Sequence, residues 1–205
     1  MEGPEFRVGD LKHLYWCEAI IYVKYCLGVR ERVTEYMEFG SEQEVGRRVA
    51  FAARLVGAVK ILNHPYLEDP KLSLGGTPDY VLITRHGEAV PLEIKWSEPG
   101  RGGTPKRDHL MQLAAYALLI ERCLRTPKQS GGGARLRYSV KRGLIYYLRP
   151  EGRLIKVSIT YGMKREVMRA LRRMREIAEG IREPKPRRGR CGSCNYAPYC
   201  PYSTT

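Results

Sequence analysis

No run of about eighteen consecutive apolar residues, the length that spans a bilayer, occurs anywhere in the 205-residue chain. The opening MEGPEFRVGD also lacks the basic and apolar regions of a secretion signal, so the expected location is the cytoplasm. Internal repeats are absent too. Acidic side chains are scarce: 22 Asp and Glu stand against 36 Lys and Arg, a formal charge of +14. A field of that sign favours a polyanion, with nucleic acid the default candidate, although charge alone does not separate DNA from RNA or from an acidic protein. At 43% hydrophobic and 28% charged residues the composition is too apolar for a disordered chain. The length suits one compact α/β unit and is short for two independent cores.

Six cysteines in a reducing compartment do not read as a disulfide framework, so their spacing is read first as metal chemistry. Asp10 is placed as the N-cap of a helix through LKHLYWCEAIIYVKYCLG, which Gly28 ends, with Cys17 inside it. Ser41 and Glu44 form a capping box that opens a second helix, with Val45, Val49, Ala52, Leu55, Val56 and Val59 on its apolar side. The middle turns to strand periodicity in DYVLIT (79–84), AVPLEIK (89–95), LIYYL (144–148) and LIKVSI (154–159), with a helix at 109–124 between the two pairs. The Gly- and Pro-rich stretches 97–106 and 126–135 are loose. A last helix over 164–181 sets Val167, Met168, Leu171, Met174, Ala178 and Ile181 against Arg165, Arg169, Arg172, Arg173 and Arg175.

Two constellations carry chemistry. Pro78-Asp79 precedes one strand, and Glu93-Ile94-Lys95 ends the strand paired to it. Alternation puts Glu93 and Lys95 on one face, which Asp79 could meet across the hairpin. Converging carboxylates beside a cation are what metal-assisted phosphodiester hydrolysis requires. A Glu-x-Lys pair also marks many solvated strand faces, but this strand, with Pro91, Leu92 and Ile94, reads as buried. Gln112 and Tyr116, four apart, share a helix face. The second constellation is Cys191-x2-Cys194-x5-Cys200, a tight knuckle with little apolar core; Cys17, Cys26 and Cys123 compete as fourth ligand, and spacing does not choose zinc or an iron–sulfur cluster.

In this order the motifs resemble the CRISPR-associated RecB-like exonucleases, which have a PD-(D/E)xK core, one early cysteine and three late ones. The likeness runs through Tyr15-Trp16-Cys17, Gly76-Thr77-Pro78-Asp79, Glu93-Ile94-Lys95, Gln112-Leu113-Ala114-Ala115-Tyr116 and the final triplet. It implies a restriction-endonuclease-like α/β fold with a mixed sheet, a helical N-terminal lobe (1–62), a nuclease core (63–160) and a C-terminal helix with an iron–sulfur tail (161–205), in one nuclease domain. Asp79, Glu93 and the carbonyl of Ile94 would bind catalytic Mg²⁺ or Mn²⁺, and Lys95 would act on the attacking water or the transition state. Gln112 and Tyr116 would hold the Lys95 region and the DNA backbone. Cys17, Cys191, Cys194 and Cys200 would ligate the cluster, [4Fe–4S] being commoner in the family than [2Fe–2S], while Cys26 and Cys123 read as small buried residues. Relatives carry Gly-x3-His where Gly40 is here followed by Glu44, so Glu44 is either a cap, a replacement metal ligand, or both. The implied activity is 5′ to 3′ cleavage of single-stranded DNA in spacer acquisition for antiviral defence, beside the CRISPR adaptation integrase. The rivals are a non-catalytic DNA-binding module and a zinc-stabilised repair or junction nuclease on the same core.

Overall fold

The structure, a computed structural model, describes residues 6–30, 42–126 and 136–204. A mixed five-stranded sheet runs in the order β2 (Ala58–Asn63), β5 (Tyr80–Thr84), β6 (Ala89–Lys95), β7 (Arg142–Tyr147), β8 (Arg153–Ser158). All its pairings are antiparallel except β6 with β7, which is parallel. Alternation sorts its side chains onto two faces. Val81, Ile83, Ile145, Tyr147 and Val157 join the larger core, which α1 (Val8–Trp16), α4 (Arg107–Cys123) and α5 (Tyr161–Ala178) cover. Leu82, Val90, Leu92 and Leu144 face α3 (Glu42–Val56) through Val49, Ala52, Ala53 and Val56. The result is an α/β fold with helices on both faces of the sheet. A small sheet, β1 (Phe6–Arg7), β4 (Leu74–Gly76), β3 (Leu67–Asp69), sits beside α1 and α4. No helix of the described residues is long and apolar enough to cross a membrane.

The four strands and the two later helices expected from periodicity are present within a few residues of their limits. The N-terminal third departs from expectation. Its first helix starts at Val8, so Asp10 is its third residue and not its cap; the carboxylate accepts the Arg7 N–H at 2.8 Å. The helix also breaks at Cys17, whose φ of −161° is extended, and resumes as α2 (Ala19–Tyr25). Asp10 supplies the reason. It is 1% exposed and binds the Lys24 ammonium and the Tyr25 hydroxyl (2.7 Å), both on α2, which must fold back against α1 to reach it.

The second helix ends at Val56, because Gly57 takes a φ of 69°. Val59 therefore lies in β2, 63% exposed, and Leu55 is 57% exposed, so neither belongs to the buried face. β2 crosses from residue 62 to 63 and pairs with β5, so the sheet begins inside the expected helical third. On α5 the buried stripe is Val167, Ala170, Leu171, Met174 and Ile177, while Met168 and Ile181 are exposed. The capping box at Ser41 and Glu44, and most of the loose stretch 126–135, lie outside the residues whose side chains are described.

Asp10 is the hub of the α1–α2 turn, and its ionisation follows. Burial opposes the charge, but His13, Lys24 and Tyr25 together hold the carboxyl well below its usual range. A depressed carboxylate stabilises the fold above its unfolded value of 3.8 and loses that contribution as pH falls below it. Asp10→Ala should lower unfolding free energy by about 3 kcal/mol at neutral pH, since Lys24 and Tyr25 lose a buried partner. The deficit relative to wild type should shrink in acid. Urea denaturation at pH 7 and near pH 3 checks both, and an equal deficit at the two values would show that the carboxylate charge is not what matters.

Candidate active site

The ladder between β5 and β6 stops at Tyr80↔Leu92. One residue further, side chains replace it: the Asp79 N–H donates to Glu93 Oε1 (3.2 Å), and the Ile94 N–H donates to Asp79 Oδ2 (2.7 Å). Each carboxylate thus satisfies a backbone donor that the diverging strands leave unpaired. Pro78, with no N–H to add to a ladder, immediately precedes the fork. β6 meanwhile keeps its parallel partner, pairing Glu93 with Ile145 and Lys95 with Tyr147. Ile145 and Tyr147 lie in the core on the α4 side, so Glu93 and Lys95 point towards α4 and Ile94 points the other way.

Glu93 is 2% exposed, and the Lys95 ammonium donates to its Oε2 at 2.8 Å. Burial, reinforced by the nearby Asp79 charge, pushes the Glu93 carboxyl up to about 7 against the pull of Lys95. Burial would lower Lys95, but Glu93 and Asp79 outweigh it and hold the ammonium above its usual range. Two carboxylates here share one cation, and the site is short of positive charge.

α4 supplies the remaining wall. The Tyr116 hydroxyl donates to the Thr77 carbonyl at 3.0 Å, pinning the segment that leads into Asp79. Burial raises the Tyr116 phenol, with Glu93 adding to the effect, and Gln112 hydrogen bonds to it. Gln112 is buried, and its Oε1 has no hydrogen-bond partner among the described atoms. Gly76 shows why the segment fits. A Cβ there would stand 2.8 Å from Val8 Cγ2 and 3.1 Å from the Tyr116 ring, so only glycine lets β4 pass between α1 and α4.

The structure therefore brings Asp79, Glu93, Lys95, Gln112 and Tyr116 to one place. The Glu44 side chain lies outside the described residues. His109 and Tyr147, beside this site, escaped the sequence reading. The Tyr147 hydroxyl accepts the Lys106 N–H (3.1 Å) and lies 2.9 Å from His109 Nδ1. Burial, together with Lys95, Lys12 and Lys106, lowers His109 to about 4 despite Asp108, so its ring is neutral at pH 7. A lone histidine and tyrosine in ordinary helix and strand patterns carry no motif signal.

The cysteines divide as well. Cys17, Cys191, Cys194 and Cys200 line one narrow cavity of about 20 Å³. Cys26 is exposed, its thiol 3.3 Å from the Ile177 carbonyl, and Cys123 is half-buried with its thiol 3.2 Å from the Glu68 carbonyl. The expected burial of Cys26 is thus incorrect: it caps the end of α5 at the surface. Among the described residues no three His, Cys, Asp or Glu side chains are gathered closely enough to hold a metal ion. The tail is also docked by apolar and polar contacts that its composition does not advertise. Tyr196 is 2% exposed against Ile20 and Val23, Arg190 stacks on Trp16 at 4.2 Å, and the Lys185 N–H donates to Glu18 (3.0 Å).

A family model for the PD-(D/E)XK nuclease superfamily matches residues 8–201. Among solved structures, SSO0001 superposes with a TM-score of 0.54 at 16% identity, covering 100% of this chain and 89% of its own. A candidate exonuclease from Eubacterium rectale gives 0.53 at 12% identity, covering 96% of this chain and 88% of its own. At such identities the likeness concerns the fold. No curated protein matches the sequence.

Gly76→Ala should displace the Tyr116 ring and the Thr77 carbonyl together, costing about 1–3 kcal/mol as overpacking. Thermal unfolding measures the cost, and an unchanged melting temperature would show that β4 is not confined between α1 and α4.

Proposed function

The chain belongs to the PD-(D/E)XK nuclease superfamily, and from that premise we propose that it is a Mg²⁺- or Mn²⁺-dependent deoxyribonuclease. The observation that carries the reading is the fork, where Asp79 and Glu93 converge beside Lys95 on the α4 face. Asp79, Glu93 and the Ile94 carbonyl would hold the cation, with Glu44 as a further ligand. Their chemistry fits a hard dication: oxygen donors, one of them a buried carboxylate that burial drives towards protonation for want of positive charge. Bound there, the cation would polarise the scissile phosphate and acidify a water.

The chain's own groups would do the rest. Lys95, on the same face as Glu93 and held as an ammonium, would orient the attacking water or stabilise charge on the phosphate. Tyr116 would keep the Asp79 segment in place through Thr77, and Gln112 would turn its unpartnered oxygen to the Lys95 region or the DNA backbone. A single functional unit spanning 1–205 accords with β2 and α1 packing into the same cores as the motif strands.

In finer detail, the resemblance to the CRISPR-associated RecB-like exonucleases implies an exonuclease acting 5′ to 3′ on single-stranded DNA during CRISPR spacer acquisition, with the adaptation integrase as partner, in the cytoplasm. The chain would carry an iron–sulfur cluster, [4Fe–4S] before [2Fe–2S], on Cys17, Cys191, Cys194 and Cys200. Four thiols lining one cavity are the donor type that a thiophilic metal takes, although no three of them stand at ligating distance among the described residues. A second reading places a single zinc ion on the same four cysteines.

Asp79→Ala and Glu93→Ala should abolish divalent-dependent cleavage of end-labelled DNA while binding falls by less than about threefold, since most affinity comes from phosphate contacts elsewhere. Full cleavage by both variants would sink the assignment. Metal analysis and visible absorption of fresh protein decide between iron and zinc. Cys17→Ala or Cys194→Ser should lose the metal and lower the melting temperature, whereas Cys26→Ala and Cys123→Ala should retain it. Loss in Cys26→Ala with retention in Cys17→Ala would name the other early ligand.

A further inference from the structure

Beyond the fork, α1, the start of α4 and the cysteine tail line an open cavity of about 260 Å³. Its walls carry Lys12, Lys106, His109 and Ser97, with Asp108 the opposing charge and Asn195 and Tyr196 of the tail closing the far side. Several observations mark it as an anion site. Lys12 and Lys106 line the cavity together with His109, and both, with Lys95, bear on its ring. The Tyr147 hydroxyl accepts from the Lys106 N–H and lies 2.9 Å from His109 Nδ1, which ties the ring to the start of α4, while Nε2 lies 3.6 Å from Asp108. No side chain caps the N-terminus of α4 at Lys106. Ser97 Oγ is buried without a hydrogen-bond partner among the described atoms.

The cavity is also placed to serve the fork. Ser97 is two residues beyond Lys95 on the same chain, and the Lys95 charge reaches both His109 and Tyr147. We propose that this cavity is a subsite for one phosphate of the DNA strand adjacent to the phosphate that is cut, held by Lys12, Lys106, His109 and Ser97. Its volume admits a phosphate and its sugar. Trp16, Ile20, Cys194 and Tyr196 line both this cavity and the cysteine cavity, so the knuckle forms part of the subsite wall. A metal on the cysteines would then act on substrate binding through that wall. The inference rests on the nuclease reading, and it names which groups hold the strand. An internal phosphodiester and a terminal phosphate offer the same chemistry.

The test is a binding measurement on full-length Asp79→Ala protein, which leaves the strand uncut. Fluorescence anisotropy is read with a short oligothymidylate in which one phosphate at a time is replaced by neutral methylphosphonate, and with strands carrying or lacking the terminal phosphate. One replacement should weaken binding roughly tenfold, the scale of a charge-assisted contact. That penalty should disappear when Lys12→Gln and Lys106→Gln are added, and the slope of log affinity against log salt should fall by about 0.7, the value for one phosphate of a single strand. A penalty confined to the terminal position assigns the site to the strand end; one at an inner position assigns it to an internal phosphate. A penalty that persists undiminished in the lysine variant overturns the subsite. Both lysines are partly exposed, so the fold should survive; if the combined variant melts early, each single substitution carries the same comparison. With Asp79 restored and Mg²⁺ or Mn²⁺ present, cleavage without the lysine-dependent penalty removes the subsite alone, whereas the penalty without cleavage removes the nuclease reading alone.

Discussion

A buried carboxylate cannot stay charged without partners, and Glu93 is the point from which the rest of the architecture can be reasoned. Removing such a group from water costs several kcal/mol unless charge and hydrogen bonds offset the loss. The fold provides the offset locally: Lys95 two residues along the same strand face, and the Asp79 N–H across the fork. Both require β5 and β6 to separate after Leu92, and β7 permits the separation by holding β6 in parallel on its other side. The Tyr116 bond to Thr77 and the missing side chain at Gly76 then fix how far the fork opens. Even so, burial keeps Glu93 inclined to take up a proton.

Much of this was legible because the signals were of the kind that sequence carries. Period-two runs located β5 to β8, and the same alternation put Glu93 and Lys95 together on one face. What escaped depended on contacts between residues distant in sequence or on backbone conformation. The helix break at Cys17 follows from Asp10 binding Lys24 and Tyr25 on the next helix, a contact invisible in the helical periodicity of 11–27. Gly57, at φ 69°, separates a helix from a strand whose residues still fit the helical spacing of what precedes them. β1, β3 and β4 are two or three residues long, too short to show a period. Tyr196 reads as one of several tyrosines in a polar tail, and only the structure shows it in an apolar notch against α2.

The charge distribution extends this logic to the surface. Many of the scarce acidic side chains are occupied internally: Asp10 with Lys24, Asp69 with Arg122, Glu88 with Arg142, Glu121 with Lys164, Glu18 with Arg173. These pairs join separate elements, so the carboxylates serve packing and do little to balance cations elsewhere. Part of the excess positive charge lies on the outer face of α5, with Arg165 and Arg172 exposed, and Lys12 and Lys106 line the cavity beside the fork. Long-range attraction to phosphate would come from the first, and local registration from the second.

The tail shows how such a division bears on stability. Were metal the sole attachment, its loss would release residues beyond Pro184 entirely, because a bond formed only in the folded state contributes its whole binding energy to that state. Here Tyr196, the Arg190–Trp16 stack and the Lys185–Glu18 bond attach the same segment independently. A chain deprived of metal would therefore keep the tail near α1 and α2 but lose the rigidity of the Cys191–Cys200 turn. That turn carries Asn195 and Tyr196, which close the cavity beside the fork, so the first thing to suffer would be the precision of the wall and not the attachment of the tail. If the proposed subsite holds, the cysteines would act at a distance from the chemistry, through the wall that Cys194 and Tyr196 share with the cavity beside the fork.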